Sequence, residues 1–131
     1  PCADPVEPQI LKMEKKIAAG AQFFQTQAVY EADVFARFME RAGRFGVPIM
    51  VGIVPLKSAG MARYIDRNIK NISIPADLIR GIQKAPDKLK QCIDIAAELI
   101  GHLKEMGMAG VMISTVGWED KLPMILDQAK L

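Results

Sequence analysis

The chain has 131 residues, 50% of them hydrophobic and 24% charged, which is the size of one domain and apolar enough to bury a core, so an intrinsically disordered chain is excluded. Its 17 Lys+Arg against 15 Asp+Glu leave a net charge of +2, with the basic residues spread along the chain, so neither nucleic acid nor an acidic membrane surface is an expected partner. The longest charge-free apolar stretches, Val47 to Leu56 and Gly107 to Trp118, fall far short of the ~20 residues of a spanning helix, and a soluble protein is expected.

In chain order, the first predicted element is a helix from about Pro8 to Ala19. Ile10, Met13 and Ile17 share one face, Lys12, Lys15 and Lys16 lie largely opposite, and Gly20 ends it. A short strand, Gln22 to Gln27, follows, and then a helix from Ala32 to Arg44 with Val34, Phe35, Phe38, Met39, Ala42 and Phe45 as its apolar stripe and Gly46 as its left-handed stop. The run Val47 to Pro55 has strand length and no alternation, the pattern of a parallel strand covered by helices. Ser58 to Asn68 reads as a helix, Ile72 to Pro75 as an extended link, and Ala76 to Lys84 as a short helix. Asp87 caps a long helix reaching Met106, with Ile93, Ala96, Ala97, Ile100 and Leu103 facing inward. A strand from Gly110 to Thr115 leads through Gly117 into a closing helix from about Trp118 or Glu119 to Ala129, with Pro123 in its first turn or so.

Strands alternating with helices predict a parallel α/β fold. Three strands leave both sheet edges bare, whereas a (β/α)8 barrel takes ~250 residues and a flavodoxin-like sheet about five strands. The expectation is therefore a single α/β unit over residues 1–131 that forms part of a barrel. The chain opens at Pro1 without an initiator Met or a signal-peptide pattern, and it is expected to begin within a longer protein. The two cysteines, Cys2 and Cys92, are too few for a disulfide framework and too far apart for a metal knuckle, which fits a reducing cytoplasm.

Ligands of parallel α/β folds bind at the carboxyl ends of the strands. The first strand ends Phe24-Gln25-Thr26-Gln27, and alternation puts Gln25 and Gln27 on one side and Thr26 on the other. An amide donates and accepts without charge, which suits a heteroaromatic ring bearing a lactam and an amino group; the competing reading is that these amides satisfy backbone groups at the strand end. Gly52 inside the second strand signals close approach by a ligand, another backbone or a bulky core side chain. The backbone from Ser114 to Gly117 stands at the mouth of the third strand. The basic patch of Lys12, Lys15 and Lys16 is either a solvated face or a grip on the phosphates of a dinucleotide. His102, the single histidine, reads as a helix-face residue, and nothing in the sequence builds a metal site or a Cys-His nucleophile.

At Lys15-Lys16, then Ala18-Ala19-Gly20-Ala21-Gln22-Phe23-Phe24-Gln25-Thr26-Gln27 with Phe35 and Phe38 beyond, the sequence resembles the methylenetetrahydrofolate reductase family. The resemblance continues through Val47-Pro48-Ile49, Gly52-Ile53-Val54-Pro55-Leu56 and Ile74-Pro75. It ends in Gly117-Trp118-Glu119-Asp120-Lys121-Leu122-Pro123, which is similar to the short bacterial and acetogen-type members. It implies the C-terminal part, about strands six to eight, of a (β/α)8 TIM barrel that carries FAD and passes hydride from NAD(P)H or another electron donor to 5,10-methylenetetrahydrofolate. It further implies that Gln27, with Thr115, Val116 and Gly117, binds the reduced folate, and that Lys16, with Lys12, Lys15 and Gln25, faces FAD. Ala59 stands where some relatives carry an aromatic that stacks on bound ligand, a departure that bears on the choice of nicotinamide donor. The family's acid and its flavin-side aspartate lie on the first four strands, so no residue of this chain is assigned a catalytic role, and association with the missing barrel half or another subunit is expected. The alternatives left by the sequence are a non-catalytic folate- or partner-binding module and a fragment inactive by itself.

Overall fold

The computed structural model describes residues 6–131; Cys2 lies outside them. The elements are α1 (Val6–Ala18), β1 (Phe24–Ala28), α2 (Ala32–Ala42) with a short 3-10 turn at Gly43–Phe45, β2 (Ile49–Ile53), α3 (Ala59–Asn68), α4 (Ala76–Lys84), α5 (Lys88–Glu105), β3 (Gly110–Ile113), a 3-10 turn at Glu119–Lys121, and α6 (Leu122–Ala129). The helices and strands are the expected ones, but two expected helical ends are 3-10 turns, at Gly43–Phe45 and Glu119–Lys121, β1 starts and ends later than expected, and β2 and β3 are shorter than their apolar runs. Val47 and Pro48 precede β2, and the Pro48 carbonyl already accepts from Phe24 N at 2.9 Å. The first helix begins earlier than expected, because Pro8 is tolerated in a first turn whose amides have no intrahelical acceptor. Ser58 and Asp87 cap α3 and α5 by accepting from Met61 N and Lys90 N.

The three strands pair in parallel, in the order β1-β2-β3. Phe24, Ile49, Val51 and Ile53 meet Ile10 and Met13 of α1, Phe35 and Phe38 of α2, Ile93, Ile100 and Leu103 of α5, and Ile125 of α6 in one core. The inward positions expected on α5 are all buried. A second cluster joins Tyr30, Leu56, Ala62, Ile65, Ile74, Ile82, Cys92 and Ile95 beneath α3 and α4. Burial raises the pKa of the Cys92 thiol, which makes it a packing residue rather than a nucleophile.

The opposite face of the sheet departs from expectation. The unalternating run of β2 suggested helices on both faces, yet among the described residues Gln25, Gln27, Met50 and Met112 belong to neither apolar cluster. One face is covered by helices and the other carries exposed amides and half-buried methionines. The run is unbroken for another reason: Gly52 is buried by the backbone of β1. A Cβ at Gly52 would stand 2.7 Å from Thr26 O and 3.1 Å from Gln27 O, so of the occupants open to the sequence the neighbouring backbone is the one present.

That approach comes from a bulge. Gln25 pairs with Met50 but Ala28 with Gly52, so β1 spends one residue more than β2 over the same stretch. Thr26 bridges the fault: its hydroxyl accepts from Gly52 N at 3.1 Å and donates to Gln27 O at 2.7 Å. The extra residue reverses side-chain parity, which is why Phe24 and Val29 both enter the same core although they are five positions apart. Val29 N then donates to Gly52 O at 3.1 Å, and the buried Tyr30 hydroxyl donates to Val54 O at 2.7 Å.

Both side-chain bonds can be tested by substitution. Thr26→Val keeps the shape but strands the buried Gly52 N–H, and is expected to lose about 1–3 kcal/mol in urea denaturation, more than Thr26→Ser, which retains the hydroxyl; equal losses would rule out the bridge. Burial raises the Tyr30 phenol above its ordinary pKa of 10.0, so the protonated phenol contributes stability that is complete below that value and is lost as pH rises through the folded-state value. Tyr30→Phe should therefore cost about 1 kcal/mol at neutral pH, and the gap between variant and parent should narrow above pH ~10.

Candidate functional site

Because the strands are parallel, their carboxyl ends share one edge of the sheet. Three segments meet there: Gln27 at the end of β1, Val54 to Lys57 beyond β2, and Ser114 to Glu119 beyond β3. Ser114 N extends the ladder by donating to Ile53 O at 2.9 Å. The uncovered face runs into this edge, and the carboxyl end of a parallel sheet is the usual setting for a ligand.

Gln25 and Gln27 are both exposed, and Thr26 between them is 4% exposed. The alternation read from the sequence is thus the alternation observed. Among the described residues neither glutamine side chain takes part in a hydrogen bond, and the strand-end backbone is satisfied by Thr26 instead. Both amides are free to meet the complementary donor and acceptor edge of a ring.

Beyond β3, Trp118 N donates to Thr115 O at 3.3 Å and closes a four-residue turn. Its central residues, Val116 and Gly117, have φ of 45° and 86°. Gly117 suits that conformation, whereas for β-branched Val116, 63% exposed, it is strained. Glu119 spans the turn, its Oε1 accepting from Thr115 Oγ1 at 3.1 Å and from Gly117 N at 3.0 Å. Hydrogen bonds from its own amide, from the Gly117 amide and from the Thr115 hydroxyl, with the Lys57 charge nearby, hold the Glu119 carboxyl below its ordinary range. Lys57 reaches the same turn, its Nζ lying 3.2 Å from where a Gly117 Cβ would stand.

Thr115, Val116 and Gly117 therefore share the strand-end edge with Gln27. Lys12, Lys15 and Lys16 do not. They lie exposed on α1, with Lys15 and Lys16 in its last turn, where the Lys16 carbonyl accepts from Ala21 N in the link to the opposite end of β1. None of the three is in an ion pair among the described residues. Ala59 opens α3 and packs partly against the second apolar cluster. His102 is exposed on α5 beside a groove that it shares with Tyr30, Leu78 and Glu98, on the helical side of the sheet.

Sequence reasoning passed over Lys57 and Glu119. Both stand in segments singled out there, but the signal for Glu119, a carboxylate two residues beyond a glycine, has force only once the intervening turn is known to be left-handed. No three His, Cys, Asp or Glu side chains come together as a metal site among the described residues, and no helix there is long and apolar enough to cross a membrane.

Among known proteins, a family model described as Methylenetetrahydrofolate reductase matches residues 1–130. Methylenetetrahydrofolate reductase (NADH) 1 of Arabidopsis thaliana is 31% identical over 78 residues, a match that covers 57% of this chain and 13% of the relative. The chain thus corresponds to a small part of that relative's length.

Proposed function

The chain belongs to the methylenetetrahydrofolate reductase family, and from that premise we propose that it forms the C-terminal part, about strands six to eight, of an FAD-dependent reductase converting 5,10-methylenetetrahydrofolate to 5-methyltetrahydrofolate. The observation that carries the reading is the family match over residues 1–130. The fold supports it: three parallel strands in chain order, helices on one face and open edges at β1 and β3 are what a sector of a closed (β/α) barrel requires, with the uncovered face becoming the barrel interior.

In this reading Gln27, with its free amide at the carboxyl edge, binds the pterin. Its carbonyl oxygen accepts from the ring amino and lactam N–H groups, its NH2 donates to ring acceptors, and the pair fixes the ring plane. Gln25 lies on the same face toward the flavin. The backbone of Thr115, Val116 and Gly117 walls the other side of the mouth. Lys16, with Lys12 and Lys15, supplies cations that fit a dinucleotide diphosphate, and what favours this is that none of the three is in an ion pair among the described residues. FAD, when bound, supplies the hydride that adds to the one-carbon unit, and it receives that electron pair from NAD(P)H or another donor. No residue of this chain is given a proton-transfer role. The site is completed by the remaining strands of the barrel, and a cytoplasmic location accords with the buried free thiol of Cys92.

The test is the full polypeptide as encoded. Purified, it should be yellow with FAD and should oxidise a reduced nicotinamide or another electron donor only when methylenetetrahydrofolate is supplied; a colourless protein with no such activity overturns the proposal. Gln27→Ala should weaken kcat/KM for the folate by about 1–3 kcal/mol with flavin content unchanged, and Lys16→Ala should lower flavin occupancy. If Gln27→Ala removes flavin to the same degree, its assignment to the pterin is wrong.

A further inference from the structure

The turn after β3 holds a contradiction that the fold does not explain. Positive φ at both central residues belongs to a class of turn dominated by glycine, asparagine and aspartate, yet its first central residue is Val116 with φ of 45°. A β-branched residue there stays left-handed only if its surroundings over-determine it. Val116 is itself 63% exposed, so packing around its own side chain does not supply the constraint. The Glu119 carboxylate does. One oxygen, Oε1, accepts from the residue before Val116, through Thr115 Oγ1, and from the residue after it, through Gly117 N. The two bonds straddle Val116 and close the turn together with its Trp118 N to Thr115 O bond. Lys57 stands against Gly117 from the segment beyond β2.

We propose that Glu119 is a positioning residue of the folate site, holding the Thr115–Trp118 turn in its left-handed form so that the backbone of Thr115, Val116 and Gly117 forms a preset wall of the mouth for the reduced folate. This rests on the function proposed above, and deepens it by naming a side chain that touches neither folate nor flavin. A wall set before the ligand arrives lowers the ordering cost of binding, so its loss appears in substrate affinity more than in turnover.

In the full polypeptide, Glu119→Ala should raise KM for 5,10-methylenetetrahydrofolate roughly tenfold, the scale set by losing the hold on one left-handed non-glycine residue, with kcat and flavin content little changed. Glu119→Gln should restore most of the affinity, because the amide oxygen can accept the same two bonds. In a Val116→Gly background, where positive φ is free of strain, the KM penalty of Glu119→Ala should shrink. Hydrogen exchange at the Gly117 amide reads the turn without reference to activity, and should quicken in Glu119→Ala. Unchanged KM and exchange in Glu119→Ala, or a KM penalty that is the same with and without the Val116→Gly change, would overturn the proposal. If the parent protein proves inactive on folate, the reductase reading falls, and the exchange rate alone decides whether Glu119 holds the turn.

Discussion

A single hydroxyl governs how β1 meets β2. Thr26 is the one polar residue in the buried set of the described chain, and it stands where a ladder bond between backbones is missing. Gly52 N, in a buried strand, has no water to turn to, and an unpaired N–H there would cost more than an ordinary hydrogen bond contributes. The Thr26 hydroxyl accepts it and passes its own proton to the Gln27 carbonyl. The bulge thus becomes a satisfied junction, and only a glycine at position 52 lets the two backbones come this close.

The side-chain arrangement on both sides of the sheet depends on that junction. Before the bulge, Phe24 and Thr26 face the helices and Gln25 and Gln27 face away; after it, Val29 re-enters the core and Tyr30 turns to reach Val54. Without the extra residue, Val29 would follow the glutamines to the uncovered face. The same irregularity therefore seats the second apolar cluster under α3 and α4 and leaves the two amides exposed on the uncovered face, Gln27 at the carboxyl edge.

Charge at the mouth follows a related logic. The carboxyl edge holds the neutral amide of Gln27 from β1 and a carboxylate from the loop after β3, and that carboxylate is spent on its own turn rather than presented outward. With Lys57 alongside, the edge is close to neutral. The more numerous cations stand on α1, toward the opposite end of β1.

The helices were legible from the sequence because their signal is local. Ile93, Ala96, Ala97, Ile100 and Leu103 recur with the period of a helix, and Ser58 and Asp87 stand where caps stand, so neither needs a distant partner to be read. The parallel α/β class, the strand cores, the outward amides and the special role of Gly52 follow from the same short-range rules. What fills the space at Gly52, why Thr26 is buried, and that one sheet face is left without helices were settled only in three dimensions. Each depends on residues more than twenty positions apart, such as Thr26 with Gly52 or Tyr30 with Val54, whose meeting is set by register and by a bulge that leaves no periodic mark. The sequence by itself determined which groups could do chemistry, since residue type and alternation are written along the chain. The tertiary structure alone decided which of them meet: it gathers Gln27, Lys57, Thr115 and Glu119 at one edge and leaves the lysines of α1 apart, because parallel pairing brings the ends of strands together irrespective of their distance in sequence.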